Sequence, residues 1–295
     1  MVDTELETAL NAAIGREERV RDEVSAPLAR RLAATLNRPV DSLEPGTDLP
    51  DGWHVILFGP AAPTTALNDD GHPPTGDFLP RLPLPRRMFA GREVFFERPL
   101  RIGDAVERVS TISDGVVKEG RSGLLAFVTV THEIYAGSTM CVREKQTVVY
   151  REEAGKGADK PADAKPQQRT LPEDCPWTAS VTPTPALLMR YSAVTFNAHR
   201  IHYDERYVRE VEGYPALVVN GGLTAILLIE MVRDHRPEPL ASFGVSNRKA
   251  LFANRPITLM GRPDGAPGKA DTASLWACDD TGALASEANL SWRKA

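Results

Sequence analysis

A long apolar run that follows two glycines places the strongest constraint on how this chain can fold. From Tyr214 the sequence reads YPALVVNGGLTAILLIEMV, a short apolar strand, the corner Asn220-Gly221-Gly222, and then a helix that is apolar on nearly all sides. A helix of this kind must be buried all round, because any face turned to water would expose apolar surface. The rest of the chain therefore has to enclose it.

Strand-length segments lie on both sides of this helix. The period-2 alternation of Val128, Val130 and Ile134 with polar residues is typical of a strand with one face on a core. The predicted strands are Arg92–Arg98, Ala105–Ser113, Leu124–Tyr135, Thr139–Arg151, Ala241–Ser246, Ile257–Arg262, Ala270–Asp279 and Ala283–Trp292. A helix enclosed by an antiparallel sheet describes the hot-dog fold, which belongs to the α+β class.

A polar segment divides the chain into two parts. Residues 151–169 read REEAGKGADKPADAKPQQR and contain no large apolar residue that could join a core, which predicts a linker. The flanking parts, 1–150 and 170–295, each have the size of a small domain. We therefore predict a double hot-dog chain, in which two antiparallel sheets each wrap a helix and the halves form a pseudo-dimer. The first half would be the degenerate mate and would carry a helical extension at its N-terminus.

Helix signals occur in both halves. Apolar spacing predicts a helix over Arg16–Asn37, and the seven prolines of segment 60–85 predict irregular chain. In the second half, Thr184 as N-cap and Pro185 at the first helical position begin another helix, and a shorter one is expected within Asp204–Glu212.

Charge and cysteine usage exclude several classes of protein. The net charge of −5 comes from 35 basic and 40 acidic side chains, so nucleic acid is not an expected partner. Three cysteines without Cys-x-x-Cys spacing argue against a disulfide scaffold and a zinc ribbon. The N-terminus is acidic where a signal peptide is basic, and no run approaches the about 20 apolar residues of a membrane span. We expect a cytoplasmic protein without a membrane partner.

The densest polar cluster of the second half is YSAVTFNAHRIHYD, residues 191–204. Together with the Asn220-Gly221-Gly222 corner it resembles the MaoC-like hot-dog hydratases, in which an Asp precedes the catalytic His by five positions. Here Asn197 stands five positions before His202, which is similar to the type 2 hydroxyacyl-thioester dehydratase branch. Asn220 departs from the family, whose members commonly have His before the glycine of the corner.

Four segments of the first half resemble the same branch, and among its members the 3-methylfumaryl-CoA (mesaconyl-CoA) hydratases. They are GWHVILF at 52–58, LPLPRRMFAGREVFFERPLRIGDAVERVSTI at 82–112, KEGRSGLLAFVTVTHEIY at 118–135 and VREKQTVVYRE at 142–152. The resemblance covers residues 50–295. It implies a hydro-lyase that hydrates a 2-enoyl-CoA thioester to a 3-hydroxyacyl-CoA, and mesaconyl-CoA, converted to citramalyl-CoA, as the substrate.

The chemistry of such a hydration assigns roles to four residues. A group must take a proton from water and return one to the α-carbon, and His202 titrates near neutrality. Asn197 can hold the water but cannot act as a base. Free N–H groups at the start of the buried helix, from Gly221 and Gly222, would stabilise the enolate-like thioester oxygen. Leu223 is a third candidate donor. Structural roles remain the alternative for each of these residues.

The predicted substrate-binding residues surround this set. They are His199, Tyr191, Arg86, Arg87, Arg121 and Arg248, whose alternative roles are packing for the tyrosine and solvated surface charge for the arginines. His199, His202 and Asp204 could instead form a metal site. We expect no metal and no cofactor, with coenzyme A present only as part of the substrate.

Two rival functions and one question of assembly stay open. The chain could dehydrate fatty 3-hydroxyacyl thioesters carried by coenzyme A or an acyl-carrier protein, or it could bind acyl thioesters without catalysis. A thioesterase of the same fold is a further alternative. Hot-dog domains pair, so a homodimer of double hot-dog chains is one assembly that the fold allows.

Overall fold

The fold consists of antiparallel strands and short helices. The computed structural model describes residues 4–76, 78–84, 86–120, 123–151, 172, 174–265 and 270–294. The helices are α1 (Thr4–Asn11), α2 (Ala26–Thr35), α3 (Pro185–Val194), α4 (Glu205–Glu210) and α5 (Gly221–His235), with 3-10 turns at Trp53–Ile56, Thr64–Ala66 and Arg200–His202. The strands are β1 (Glu17–Glu23), β2 (Arg86–Phe96), β3 (Ala105–Gly120), β4 (Gly123–Ala136), β5 (Thr139–Arg151), β6 (Trp177–Val181), β7 (Leu240–Asn247), β8 (Ile257–Pro263), β9 (Thr272–Cys278) and β10 (Leu284–Trp292).

These strands form one sheet in the order β1-β3-β4-β5-β2-β7-β10-β9-β8-β6. The first five strands make one half of the sheet and the last five make the other. Strand β2 pairs antiparallel with β7 at the centre, where Val94 lies opposite Phe243. Two five-stranded antiparallel halves agree with the predicted α+β double hot-dog class. The two predicted sheets are joined edge to edge, and this junction makes them continuous.

Helix α5 lies between the two halves, as its composition requires. It packs against β6, β8 and β9, and its buried residues point in every direction around its axis. From the first half, Gly52 comes so close that a Cβ atom there would be 2.8 Å from Cδ1 of Ile229. The Nε1–H group of Trp53 donates a 2.9 Å hydrogen bond to the buried Glu230. Both halves therefore contribute to the enclosure of α5.

The two N-terminal helices cover the first half of the sheet. Leu6 and Leu10 of α1 belong to a cluster with Ile112 and Val128 of the sheet. Helix α2 buries Leu32 in the larger core that also contains α5, and it contacts α3. In the predicted helical extension, α1 therefore packs directly on the sheet and α2 packs against α3.

The helix predicted over Arg16–Asn37 is wrong in its first third. Strand β1 occupies this part and pairs with β3, and helix α2 begins only after the N-cap Ser25. Pro27 in the first turn explains the boundary, because its ring would clash with the preceding turn of a longer helix. The upstream residues are then free to pair in the sheet, where Arg19 and Arg21 form ion pairs with Glu107.

The remaining sequence predictions differ from the structure mainly at the ends of elements. Strand β2 begins at Arg86, ahead of the predicted start, and the edge strand β6 was not predicted. Segment 60–85 is irregular apart from one 3-10 turn, as far as its residues are described. The linker 151–169 lies outside the described residues after Arg151, so the domain boundaries stay a prediction. None of the helices in the described part is long and apolar enough to cross a membrane.

The β2–β7 junction predicts that the second half cannot stand alone. A fragment from Thr170 onward would leave β7 as an open sheet edge and would uncover α5 where Trp53 now packs. We expect this fragment to be insoluble or dimeric in size-exclusion chromatography. Coexpression with fragment 1–150 is the matched control and should restore a soluble complex. A soluble monomeric fragment with cooperative unfolding would contradict this prediction.

Candidate active site

The buried helix α5 begins at a corner whose backbone donors are nearly all in use. The Oδ1 atom of the N-cap Asn220 accepts a 2.9 Å hydrogen bond from the Gly222 N–H group. The Leu223 N–H group donates to the Asn220 carbonyl at 3.0 Å. Within the described part of the chain, the Gly221 N–H group donates no hydrogen bond. Of the three predicted oxyanion donors, Gly221 is therefore the one whose N–H group remains available to a ligand.

Crowding at this corner favours glycine at both positions. A Cβ atom at Gly222 would be 2.7 Å from the Tyr191 hydroxyl oxygen, and one at Gly221 would be 2.7 Å from Nδ2 of Asn247. A side chain at either position would force these neighbours to shift, so the start of α5 lies directly against them. Tyr191 is buried, and burial raises the pKa of its phenol to about 12. It is thus a neutral donor beside Gly222.

His202 faces the same corner from a separate 3-10 turn. It is 6% exposed, and its Nδ1 atom lies 2.7 Å from the carbonyl oxygen of Val218. A carbonyl can only accept, so Nδ1 carries the hydrogen and Nε2 keeps its lone pair. That Nε2 atom lies 3.4 Å from Nδ2 of Asn220, which is long for a hydrogen bond. The Asn220 amide thus contacts His202 with one end and the α5 N-terminus with the other.

Burial determines the protonation state of His202. It lowers the pKa of the imidazole to about 4, against the raising effect of the hydrogen bond to the Val218 carbonyl. At neutral pH the ring is uncharged, with its unprotonated Nε2 atom directed toward the Asn220 amide. A neutral imidazole with an unprotonated nitrogen can accept a proton from a water molecule.

Asn197 is held by the turn that precedes His202. Its Oδ1 atom accepts a 2.9 Å hydrogen bond from the His199 N–H group. Its amide NH2 group donates no hydrogen bond to any described residue. The oxygen of Asn197 is thus committed to the backbone, and its NH2 group remains able to donate to water.

Histidine, aspartate and a second histidine meet beside His202. The Nδ1 atom of His72 is 2.9 Å from Oδ2 of Asp70, and the rings of His72 and His199 lie 4.1 Å apart. One ligand atom from each of these three residues falls within 4.8 Å of the other two, so they could hold a metal ion. Burial, with the charges of His72 and His202, lowers the pKa of His199 to about 2.

The alternative metal set of His199, His202 and Asp204 is not formed. Asp204 instead caps α4 by accepting from the Tyr207 N–H group, and it pairs with Arg200 at 2.7 Å. These bonds use both of its oxygens. The sequence does not predict that His72 and Asp70 lie beside His199, because they belong to the irregular segment 60–85, far from His199 in sequence.

The predicted substrate-binding arginines differ in their surroundings. Arg87 is close enough to His199 for its charge to contribute to the lowered pKa of that histidine. Arg248 is paired with Glu287 at 2.6 Å. Arg86 begins β2, but its side chain is not among the described ones, and Arg121 lies outside the described residues. Their roles in binding a substrate stay predictions.

A buried charged group near the corner was missed by the sequence reasoning. Arg92 of β2 lies beside Gly222, and its Nη1 atom is 3.4 Å from Oε1 of Glu144. The other oxygen of Glu144 is 3.0 Å from Nε2 of His54. These residues come from three separate elements, and no local pattern marks them as neighbours.

Solved structures of similar architecture define the class of the fold. The MaoC-like dehydratase of Phytophthora capsici superposes with a TM-score of 0.71, at 12% identity, over 100% of both chains. HtdX of Mycobacterium tuberculosis matches with a TM-score of 0.64, at 17% identity, over 94% of this chain and 100% of that one. Another Mycobacterium tuberculosis protein, described as a double hot-dog fold, matches with a TM-score of 0.53, at 14% identity, over 95% and 96%. The predicted double hot-dog fold is confirmed.

Sequence comparisons then give the family. The family model for hydroxyacyl-thioester dehydratase type 2 matches residues 52–253. The chain is 44% identical over 255 residues to the mesaconyl-C(4)-CoA hydratase of Chloroflexus aurantiacus, covering 86% of this chain and 89% of that protein. It is 26% identical over 284 residues to the mitochondrial hydroxyacyl-thioester dehydratase type 2 of Schizosaccharomyces pombe, covering 86% and 88%. The chain belongs to the hydroxyacyl-thioester dehydratase type 2 family, and it is a hydro-lyase.

The buried histidines predict that the fold loses stability in acid. Burial lowers the pKa of His202 and of His132 to about 4, whereas each returns to about 6.5 in the unfolded chain. The unfolded state therefore binds more protons as the pH falls from about 6.5 to about 4. The free energy of unfolding should fall by about 1.4 kcal/mol per pH unit for each histidine across this window. Asp51, whose pKa burial raises, opposes the trend at its acidic end.

Urea unfolding at several pH values between 4.5 and about 8 measures this slope. The variant His132→Gln is the control, because it removes one buried imidazole outside the corner and should make the slope shallower. A free energy of unfolding that is the same at neutral and acidic pH would show that these histidines are not held neutral.

Proposed function

We propose that this protein catalyses the reversible hydration of a 2-enoyl-CoA thioester to a 3-hydroxyacyl-CoA, with mesaconyl-CoA as substrate and citramalyl-CoA as product. The observation that carries the proposal is the neutral His202, whose unprotonated Nε2 atom faces the Asn220 corner, where the Gly221 N–H group donates to no described residue. The 44% identity to a mesaconyl-C(4)-CoA hydratase supports the choice of substrate.

In the proposed reaction His202 carries out both proton transfers. Its Nε2 atom takes a proton from water while the water oxygen bonds to the β-carbon, and the same proton is returned to the α-carbon. Electron density moves onto the thioester oxygen and back, so no other proton is gained or lost. A single base acting in both steps implies that water and proton add to one face of the double bond.

The start of α5 would stabilise the charge that develops on the thioester oxygen. The Gly221 N–H group is free to donate to it, and the positive end of the α5 dipole lies at the same place. His202, Asn220 and Gly222 are buried, which strengthens such interactions because bulk water competes less. Gly222 contributes by leaving room for the Tyr191 hydroxyl, since its own N–H group is bound by Asn220.

The two asparagines would divide the positioning of water and base. The free NH2 group of Asn197 would hold the attacking water by donating a hydrogen bond to it. Asn197 would not be the base, because an amide cannot accept the proton of the water. Asn220, which replaces the histidine common in the family, holds the α5 N-terminus and contacts Nε2 of His202. The proposed reaction uses no metal and no cofactor, and the binding roles of His199 and Tyr191 remain part of the proposal.

The decisive experiment compares the purified protein with His202→Ala on mesaconyl-CoA. We expect the wild type to remove the conjugated enoyl absorbance and to incorporate labelled solvent oxygen into citramalyl-CoA. The variant should lose kcat by about two to four orders of magnitude, the scale of a lost general base. Circular dichroism controls for its folding. Near-wild-type turnover by the folded variant would remove His202 from the mechanism.

The same assay separates the rival functions. Turnover of long-chain 3-hydroxyacyl thioesters but not of mesaconyl-CoA would favour a fatty-acid-type dehydratase. Release of free coenzyme A would identify a thioesterase. Thioester binding without conversion would leave a binding protein.

Paired substitutions at Asn197 test its role in holding water. Asn197→Ala removes the donor and should reduce kcat by about a hundredfold. Asn197→Asp retains the acceptor for the His199 N–H group and adds a negative charge near His202. That charge would raise the pKa of the histidine, so we expect a smaller loss with the pH optimum moved upward. Equal and negligible effects in both variants would place Asn197 outside the reacting groups.

A further inference from the structure

A small apolar pocket with one arginine lies between the sheet junction and α5. Arg92 is on the same face of β2 as the buried Val94 and Phe96. The side chain of Arg92 is 16% exposed. The lining of the pocket is completed by Gly52, His54, Val55, Gly222, Ala225, Ile226, Ile229 and Phe243. A guanidinium in such surroundings is expensive to bury unless anions or acceptors surround it.

Arg92 has far fewer partners than it can bind. Its Nη1 atom contacts Glu144 at 3.4 Å, and its buried Nε atom has no hydrogen-bond partner in the described part of the chain. Its Cζ atom lies 5.0 Å above the ring of Phe89, which supplies no acceptor. A guanidinium carries five N–H donors, so Arg92 can bind further acceptors, and its buried Nε–H group is unsatisfied. Leaving buried donors unpaired is costly, and a ligand that supplies acceptors would recover this cost.

Glu144 holds the guanidinium in place from one side. It is buried, and burial raises its pKa, but the charge of Arg92 and the hydrogen bond with His54 lower that pKa well below its usual range. Glu144 is therefore an anion, fixed by His54 at 3.0 Å. Glu144 contacts the guanidinium through Nη1, and the edge formed by Nε and Nη2 has no hydrogen-bond acceptor among the described residues. This is the edge through which a guanidinium binds a carboxylate with two parallel hydrogen bonds.

The free edge lies at the corner where the reaction is proposed. The Nη2 atom of Arg92 would be 3.3 Å from a Cβ atom at Gly222, whose N–H group is bound by Asn220. The amide of Asn220 in turn contacts His202. A carboxylate bound to Arg92 would thus lie within a few ångströms of the α5 N-terminus. This separation suits a substrate whose carboxylate is attached to the carbon that receives the water.

We propose that Arg92 binds the free carboxylate of a dicarboxylyl thioester and so selects short acyl chains that bear a carboxylate on the β-carbon. This inference rests on the proposed function and names the residue that recognises the substrate of the proposed reaction. In mesaconyl-CoA esterified at C4, the β-carbon carries a methyl group and a carboxylate. The apolar walls would accept the methyl group, and Arg92 would accept the carboxylate.

Binding of unreactive thioesters tests Arg92 independently of turnover. Succinyl-CoA carries the β-carboxylate without a double bond, and butyryl-CoA replaces that carboxylate by a methyl group. By calorimetry the wild type should bind succinyl-CoA about tenfold to a hundredfold more tightly, the scale of a charge-assisted pair. Arg92→Gln should abolish this preference, and Arg92→Lys, which keeps the charge without the fork, should retain part of it.

Arg108→Gln is the matched control. Arg108 is another arginine whose buried Nε atom has no hydrogen-bond partner among the residues that the structure describes, but it lies over Phe58 and does not line the pocket. Its variant should keep the preference for succinyl-CoA. Loss of the preference in both variants would assign it to general positive charge and would overturn the proposal.

Turnover provides the second measurement. With mesaconyl-CoA, Arg92→Gln should lower kcat/KM by about a hundredfold, while the neutral analogue 3-methylcrotonyl-CoA should be affected little. Equal losses on both substrates would mean that Arg92 serves the thioester or the fold, and would refute selection. Should Arg92→Gln not fold, the wild-type ratio between the two thioesters and the Arg92→Lys variant decide the question.

Failure of this inference is distinguishable from failure of the proposed function. If the wild type hydrates mesaconyl-CoA and 3-methylcrotonyl-CoA equally well, the proposed hydratase activity is supported and substrate selection by Arg92 is refuted. If the wild type hydrates no enoyl-CoA but binds succinyl-CoA preferentially through Arg92, the carboxylate site is supported and the proposed reaction is refuted.

Discussion

The enclosure of α5 is the constraint on which the rest of the structure depends. Its apolar surface cannot face water on any side, so strands β6, β8 and β9 and the segment at Gly52 and Trp53 pack around it. The pairing of β2 with β7 brings the first half of the sheet into this arrangement. Without that junction the second half would retain the helix and lose part of its cover.

Enclosure also sets the electrostatics at the start of α5. A helix N-terminus in water has its free N–H groups solvated, whereas here Gly221 and Gly222 lie against Tyr191, Asn247 and neighbouring side chains. The Asn220 side chain satisfies one donor, and the donor of Gly221 remains. The same burial holds His202 neutral, so its Nε2 nitrogen is unprotonated at neutral pH. A loss of stability in acid accompanies this arrangement, since folding excludes protons that the unfolded chain would bind.

Two polar groups flank the corner, and both combine distant parts of the chain. On one side the group of Asp70, His72 and His199 joins an irregular segment to the turn before His202. On the other side Glu144 and His54 hold Arg92 against the apolar pocket. The first half of the chain contributes to both groups, although the main polar motif lies in the second half. This half therefore supplies side chains to the site as well as a surface for dimer-like packing.

The sequence by itself determined the elements whose signals are local. Local signals predict the buried helix, the Thr184 cap of α3, strand β5 and the alternation of buried and more exposed residues along β4. These features follow from short-range pattern and backbone chemistry, which act within a few residues. Residues Asn197, His202 and Gly221 could be selected as candidates from one motif and one corner. The helix prediction was wrong over β1. Apolar residues four positions apart there fit one face of a helix and equally one face of a strand, and Pro27, which marks the start of α2, is a weaker signal than that repeat.

Only the tertiary structure decided which side chains meet. Arg92, Glu144 and His54 come from β2, β5 and the turn near Trp53. Sheet register places Arg92 near Glu144, and packing of the turn against the sheet adds His54. Similarly, the availability of the Gly221 donor depends on how the Asn220 side chain turns, which no sequence pattern records. Contacts between residues far apart in sequence depend on packing of the whole chain, whereas helix caps, turns and alternation depend on neighbours. For this reason the candidate base could be predicted and the arginine beside Gly222 could not.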